Sequence, residues 1–202
     1  YFAVTVGDEY YMGLKDNFNL EGIAYRIVPY GIKGAGGNVN TDLMFDNMVH
    51  KFRWGNIGDP SIYLDENILR SCRTYRLMFY HLVDALIKEN KKEKALEALN
   101  YCMKVIPSKT VKHDYYSVYL ASQYYVLNKP NEGDKIMDEL AENCLKNIRW
   151  YKSLTNEHMI NASQRDLDLN MRILASILSQ CKEYNREAIF NKYLPVLNQY
   201  GS

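Results

Sequence analysis

Asp8 and Glu9 close the strand-like opening segment of this chain, a place where a catalytic carboxylate can sit. With Asp84 they are the acids that could act on a glycan, chemistry that needs two carboxyl groups roughly 5–10 Å apart. No second acid clusters with them in the sequence. Asp166 and Asp168 lie two residues apart, so on a helix they face different ways. A turn preference for Asp explains Asp8 as well as catalysis does. His50, His81, His113 and His158 are scattered, with no pair four residues apart and no HExxH, so no metal site is indicated. Gly31, Gly34, Gly36 and Gly37 satisfy neither GxGxxG nor the Lys-Ser/Thr ending of a phosphate loop, and read as a connector. There is no GxSxG elbow. Asn161-Ala162-Ser163 is a formal glycosylation sequon on a helical stretch. Cys72, Cys102, Cys144 and Cys181 lie far apart without a CxxC; Cys102 reads as a packed thiol, and the disulfide state of the four is open. No cofactor is implied.

The bulk properties narrow the classes further. At 202 residues the chain can bury a core of its own. A net charge of +1 gives no reason to expect a nucleic-acid partner. Tyrosine is over-represented, with 18 residues, and suits amphipathic contact surfaces or half-buried helix packing. No apolar run approaches the roughly 18 residues of a membrane span, and no signal peptide is present. The chain begins at Tyr1 inside a strand-like segment, which suggests a fragment or processed piece of a longer protein.

The elements that must position these residues change character near residue 60. Residues 1–60 read as a strand-containing element: a strand over Tyr1–Val6, a short helix or turn at about 10–20, and a second strand through Ile23, Tyr25 and Ile27. A Gly-rich loop over 30–40 and a helix from about 41 to 51, capped by Asn40 or Thr41, complete it. Residues 61–202 read as helices. Asp65 is a plausible N-cap for a helix over about 66–89 whose apolar stripe has Arg76 as its one polar interruption. Further helices are expected at about 92–106, 114–128, 131–154, 159–183 and 186–199, the last kinked or shortened by Pro195.

Within that helical part, Phe79, Leu82, Val83, Leu86, Ala95, Leu99, Cys102 and Pro107 alternate large and small residues and then stop. This pattern resembles a tetratricopeptide-type hairpin, in which small positions let two antiparallel helices approach and Pro ends the second. Leu120, Ala121, Tyr124, Gly133, Met137 and Leu140 repeat it more weakly, 38 residues on from Leu82 to Leu120, with Gly133 where Ala is usual. The resemblance implies a mostly α fold, a tetratricopeptide-like α/α superhelix of about three helix pairs, with a small N-terminal α/β element. It also implies a groove lined by the first helix of each pair. Tyr80, Asp84 and Lys88 would come from one hairpin and Tyr115, Ser122 and Tyr125 from the next. Tyr rings there could stack on an extended peptide or a sugar face, with Asp84 and Lys88 fixing polarity. These residues could instead pack against neighbouring elements.

A second resemblance runs through the whole chain. Tyr1-Phe2-Ala3-Val4-Thr5-Val6, Tyr11-Met12-Gly13-Leu14, Glu21-Gly22-Ile23-Ala24-Tyr25-Arg26-Ile27-Val28-Pro29, Leu64-Asp65-Glu66-Asn67 and Ala162-Ser163-Gln164-Arg165 carry it. As a set they resemble the soluble C-terminal region of large polytopic membrane proteins of Bacteroidetes, of the protein O-mannosyltransferase-like glycosyltransferase family. The resemblance implies a periplasmic location at the inner membrane and, as partners, the membrane-embedded part of the same protein and a polypeptide or glycan acceptor. No family catalytic residue maps onto this chain, so the implied role is accessory binding. A freestanding protein–protein scaffold and a glycan-acting enzyme are the alternatives.

Overall fold

Apolar residues recur at three- and four-residue spacing from residue 66 onward, and helices form wherever that stripe finds a partner. The computed structural model describes residues 1–29 and 38–200. Among them are seven α-helices and one small antiparallel sheet, so the chain is mostly helical. The glycine cluster at 31–37 lies outside the described residues. The chain forms two units, Tyr1–Lys112 and His113–Ser202. A division near residue 60 therefore falls inside the first unit, because the strand element and the first hairpin share a core.

In the first unit, β1 (Phe2–Ala3), β2 (Phe18–Leu20) and β3 (Ala24–Ile27) form a sheet in the order β1-β3-β2. Phe2 lies opposite Tyr25, and Phe18 opposite Ile27. Strands this short are held by rings: Tyr11 packs edge-on to Phe18 at 4.8 Å, and Phe18 stacks on Tyr25 at 5.4 Å. The first strand is shorter than its sequence suggests, because the Val6 amide turns back to the Ala3 carbonyl at 3.0 Å. The 10–20 segment resolves into single 3₁₀ turns at Asp8–Tyr10 and Lys15–Asn17, followed by β2. Three residues centred on Asn19 carry no readable alternation, so β2 was not legible.

Helix α1 (Thr41–Phe45) starts where the Asn40 side chain accepts from the Leu43 amide at 3.2 Å. It runs into a wide π turn, Asp46–Lys51, that buries Met48 beside Met44. α2 (Glu66–Lys88) is capped by Asp65, which accepts from the Ile68 amide at 2.8 Å, and α3 (Lys92–Val105) folds back on it. Thr41 donates to Glu89 at 2.6 Å, and Lys91 and Lys94 pair with Asp42 at 3.1 and 2.9 Å, which ties α1 to the α2–α3 turn. Arg76, the polar interruption in the stripe, is fully buried. It donates to the carbonyls of Lys112 at 2.7 Å, Val111 at 2.6 Å and Ile106 at 3.3 Å.

In the second unit, α4 (Tyr115–Val126), α5 (Pro130–Lys152), α6 (Glu157–Glu183) and α7 (Glu187–Tyr200) each pack on the next. Asp114 and Ser117 form a capping box that starts α4. α7 runs through Pro195 to Tyr200 rather than ending there. The buried hydroxyl of Tyr193 donates to Asp138 at 2.8 Å and meets Glu142 at 2.9 Å, while Lys192 pairs with Asp138 at 2.7 Å.

One turn recurs three times. Asn90, Asn128 and Asn185 take left-handed φ values of 59°, 58° and 55° just past the ends of α2, α4 and α6. The next residue in each case, Lys91, Lys129 or Arg186, donates its amide back to Leu86, Tyr124 or Cys181 at 2.7–2.8 Å. This is the six-to-one closure of a Schellman motif, with Asn in the place Gly often takes. The pairs α2/α3, α4/α5 and α6/α7 thus share one way of reversing the chain.

Candidate functional site

The sequence-expected groove residues fall into two sets. In the first unit, Tyr80, Asp84 and Lys88 stand at four-residue spacing on one face of α2. Lys88 pairs with Asp84 at 2.7 Å, which holds the ammonium above its ordinary range. Burial, with Asp84 nearby, pushes the half-buried Tyr80 phenol up, and its ring lies 5.4 Å from His81. In the second unit, Tyr115 is exposed and shares a 2.6 Å hydrogen bond with the Tyr119 hydroxyl. Ser122 and Tyr125 are each only 8% exposed. Ser122 donates to the Val118 carbonyl at 3.0 Å and meets Gln180 of α6. Tyr125 donates to Asp134 at 3.0 Å, and its ring packs on Tyr184 at 5.2 Å. Ser122 thus meets α6, while Tyr125 meets α5 and the turn after α6, so both pack within the second unit.

Of the acids considered for glycan chemistry, Asp8 and Asp84 are engaged in ion pairs. Asp8 pairs with Lys15 at 2.6 Å on the edge of a recess of about 290 Å³ that Tyr25 and His81 also line. Burial lowers the His81 pKa, which favours the neutral imidazole. This recess holds a single carboxylate already matched by an ammonium. Asp138 and Glu142 are side by side on α5, but Tyr193 and Lys192 occupy them. Among the described residues no group of His, Cys, Asp or Glu is arranged to hold a metal ion.

The four cysteines are free and buried. Burial pushes the thiols of Cys144 and Cys181 up to about 12. At pH 8 such a thiol is ionised in only about one molecule in ten thousand, and the thiolate is the reactive form. Because all four thiols are buried, the native chain is expected to be inert to a disulfide reagent at pH 8, with four thiols titrating once it is denatured. Rapid reaction of any native thiol would contradict the packing.

A larger cleft, about 570 Å³, opens in the first unit between the loop after α1 and the first turns of α2. Its floor is aromatic. Trp54 packs on Phe79 and Tyr75 at 5.5 Å each and faces Phe52 at 6.1 Å. Ile23, Ile62 and Ile68 line it and remain 40%, 39% and 40% exposed. Gly22 makes the tight β2–β3 turn possible: its φ is +145°, and a Cβ there would lie 2.9 Å from the Phe52 ring. Lys51 and Arg53 flank the cleft, and no carboxylate lines it. Lys51 is held by Asp46 at 2.5 Å, whereas Arg53 makes no ion pair among the described residues. The Trp54 Nε1 is buried without a hydrogen-bond partner among the described residues. A buried donor left unpaired costs about 1–3 kcal/mol.

Sequence reasoning passed over this cleft. Its residues come from the 52–64 loop, in which Phe52 reads as the end of the preceding helix's apolar face and Gly55–Pro60 as a helix breaker, and from Ile23, Ile68 and Tyr75, which show no shared period. The available signal was Phe52-Arg53-Trp54, an aromatic–basic–aromatic triplet in a loop, where exposed rings are more informative than in a helix stripe. No helix is long and apolar enough to cross a membrane among the described residues. No protein-family model, curated protein or solved structure matches this chain.

Proposed function

We propose that this chain is a non-catalytic binding module built from tetratricopeptide-like hairpins, and that it holds a polypeptide for a membrane glycosyltransferase-like protein of which it is the periplasmic part. The observation that carries the binding reading is the open aromatic cleft beside α2, the size of a small-ligand site and rimmed by exposed isoleucines. The shared Asn turns of three successive helix pairs support the repeat reading. The glycosyltransferase link is supported by the sequence resemblance alone.

Two measurements test this. The first titrates the intact chain with a permanently unfolded, carboxymethylated polypeptide. Saturable binding is expected, weakened about tenfold or more by Ile62→Asp, and no binding overturns the module reading. The second probes membrane and soluble fractions of the native cell with an antibody to this chain, after protease is added to spheroplasts. A large membrane-bound band digested from outside is expected. A soluble, protected band near 23.6 kDa would leave a freestanding scaffold instead.

A further inference from the structure

We infer that the cleft beside α2 takes an extended polypeptide segment presenting a large apolar side chain next to a carboxylate. This rests on the binding-module reading and names its ligand. The walls of Phe52, Trp54 and Tyr75 with Ile62 and Ile68 offer ring and aliphatic surface. A volume of about 570 Å³ has room for one or two large side chains. The cleft is open rather than enclosed, so a chain can seat one side chain and continue past both ends. Charge then selects the neighbour of that side chain. Two cations flank the cleft, no acid lines it, and Arg53 has no ion-pair partner among the described residues. A guanidinium in that state matches a carboxylate in two-pronged geometry. A ligand with a second cation there would meet repulsion instead, which gives discrimination as well as affinity.

The test uses the chain's own fluorescence. Only Trp54 and Trp150 are present, so Trp150→Phe leaves Trp54 as the sole reporter. Three short synthetic peptides are titrated: one with Phe between glutamates, one with Phe between lysines, and one with Ser between glutamates. The first is expected to shift Trp54 emission and to bind about tenfold tighter, or more, than either other. Arg53→Glu is expected to abolish the preference for the glutamate peptide over the lysine peptide. Arg53 is exposed and makes no ion pair among the described residues, so this variant keeps the fold, which circular dichroism checks. Equal affinity for the glutamate and lysine peptides overturns the inference, as does a preference that survives Arg53→Glu. Binding of dodecanoate with no peptide binding also overturns it, in favour of a small anionic amphiphile. If the carboxymethylated polypeptide binds while these peptides are not distinguished, the ligand assignment fails and the module reading stands. If neither binds, both fail.

Discussion

Replacing Arg76 by Met should destabilise the first unit by about 2–4 kcal/mol, and Arg76→Lys should fall between Met and the native residue. Two terms compete. A buried guanidinium carries a desolvation penalty, and replacing a buried charge by a well-packed apolar side chain can be neutral or favourable. Its partners here include the main-chain carbonyls of Ile106, Val111 and Lys112, at 3.3, 2.6 and 2.7 Å. The Ile106 and Val111 carbonyls remain buried when the side chain is truncated, and each orphaned acceptor costs about 1–3 kcal/mol. The carbonyls lie at the end of α3 and in the turn after Pro107, where the chain has run out of helical donors. The carbonyl term therefore exceeds the relief of desolvation. Lysine brings three donors but not the planar fork that reaches separate carbonyls through Nη1 and Nη2, so it restores only part of the loss. Urea denaturation followed by far-ultraviolet circular dichroism measures the difference. A Met variant within about 0.5 kcal/mol of the native chain would show that Arg76 contributes nothing net.

Arg76 also shows which parts of this fold could be read in advance. The stripe Leu69, Cys72, Phe79, Leu82, Leu86 defines α2 within one residue, because burial of one helix face leaves a periodic mark. A buried Arg in that stripe breaks the pattern locally and bonds to carbonyls some 30 residues away, which no periodicity encodes. The same holds for the sheet. β3 is visible through alternation, while β2 exists because Phe18 finds Tyr25 and because the Leu20 amide finds the Asn38 carbonyl at 2.7 Å. Asn90, Asn128 and Asn185 were a missed signal of a different kind. Each precedes Lys or Arg at a helix end, and a residue that tolerates left-handed φ there is local chemistry that a sequence does display. The site was less legible than the fold. Helical spacing brings Tyr80, Asp84 and Lys88 to one face of α2, but it does not reveal that Gln180 of α6 meets Ser122 and that Asp134 of α5 holds Tyr125. It is silent on the cleft, whose residues are assembled from a loop, a hairpin turn and a helix start.

Gly133→Ala should destabilise the second unit by about 1–3 kcal/mol, although helix propensity alone argues the opposite. Gly133 lies in the first turn of α5, where Ala is favoured over Gly by about 1 kcal/mol. A Cβ at this position would lie 2.5 Å from a Tyr125 ring carbon and 2.9 Å from the Ala121 carbonyl oxygen. The carbonyl belongs to α4 and cannot swing aside. The ring is little freer: its hydroxyl is tied to Asp134 at 3.0 Å, Tyr184 packs on it, and the Arg186 guanidinium sits 5.7 Å from its centroid. Arg186 is itself bound to Asp134 through both its Nε and Nη2. Room for a methyl group therefore requires α4 and α5 to separate or the Tyr125 cluster to rearrange, and overpacking of this kind costs about 1–3 kcal/mol. The departure from the usual Ala, which weakened the second hairpin as a repeat, is thus the residue that lets the two helices meet across a tyrosine. Thermal unfolding of Gly133→Ala, Tyr125→Ala and the double variant measures the coupling. The cost of Gly133→Ala should shrink by about 1 kcal/mol or more once the ring is gone, with the remainder due to the Ala121 carbonyl. A single Gly133→Ala variant more stable than the native chain would mean that the helices are not this close.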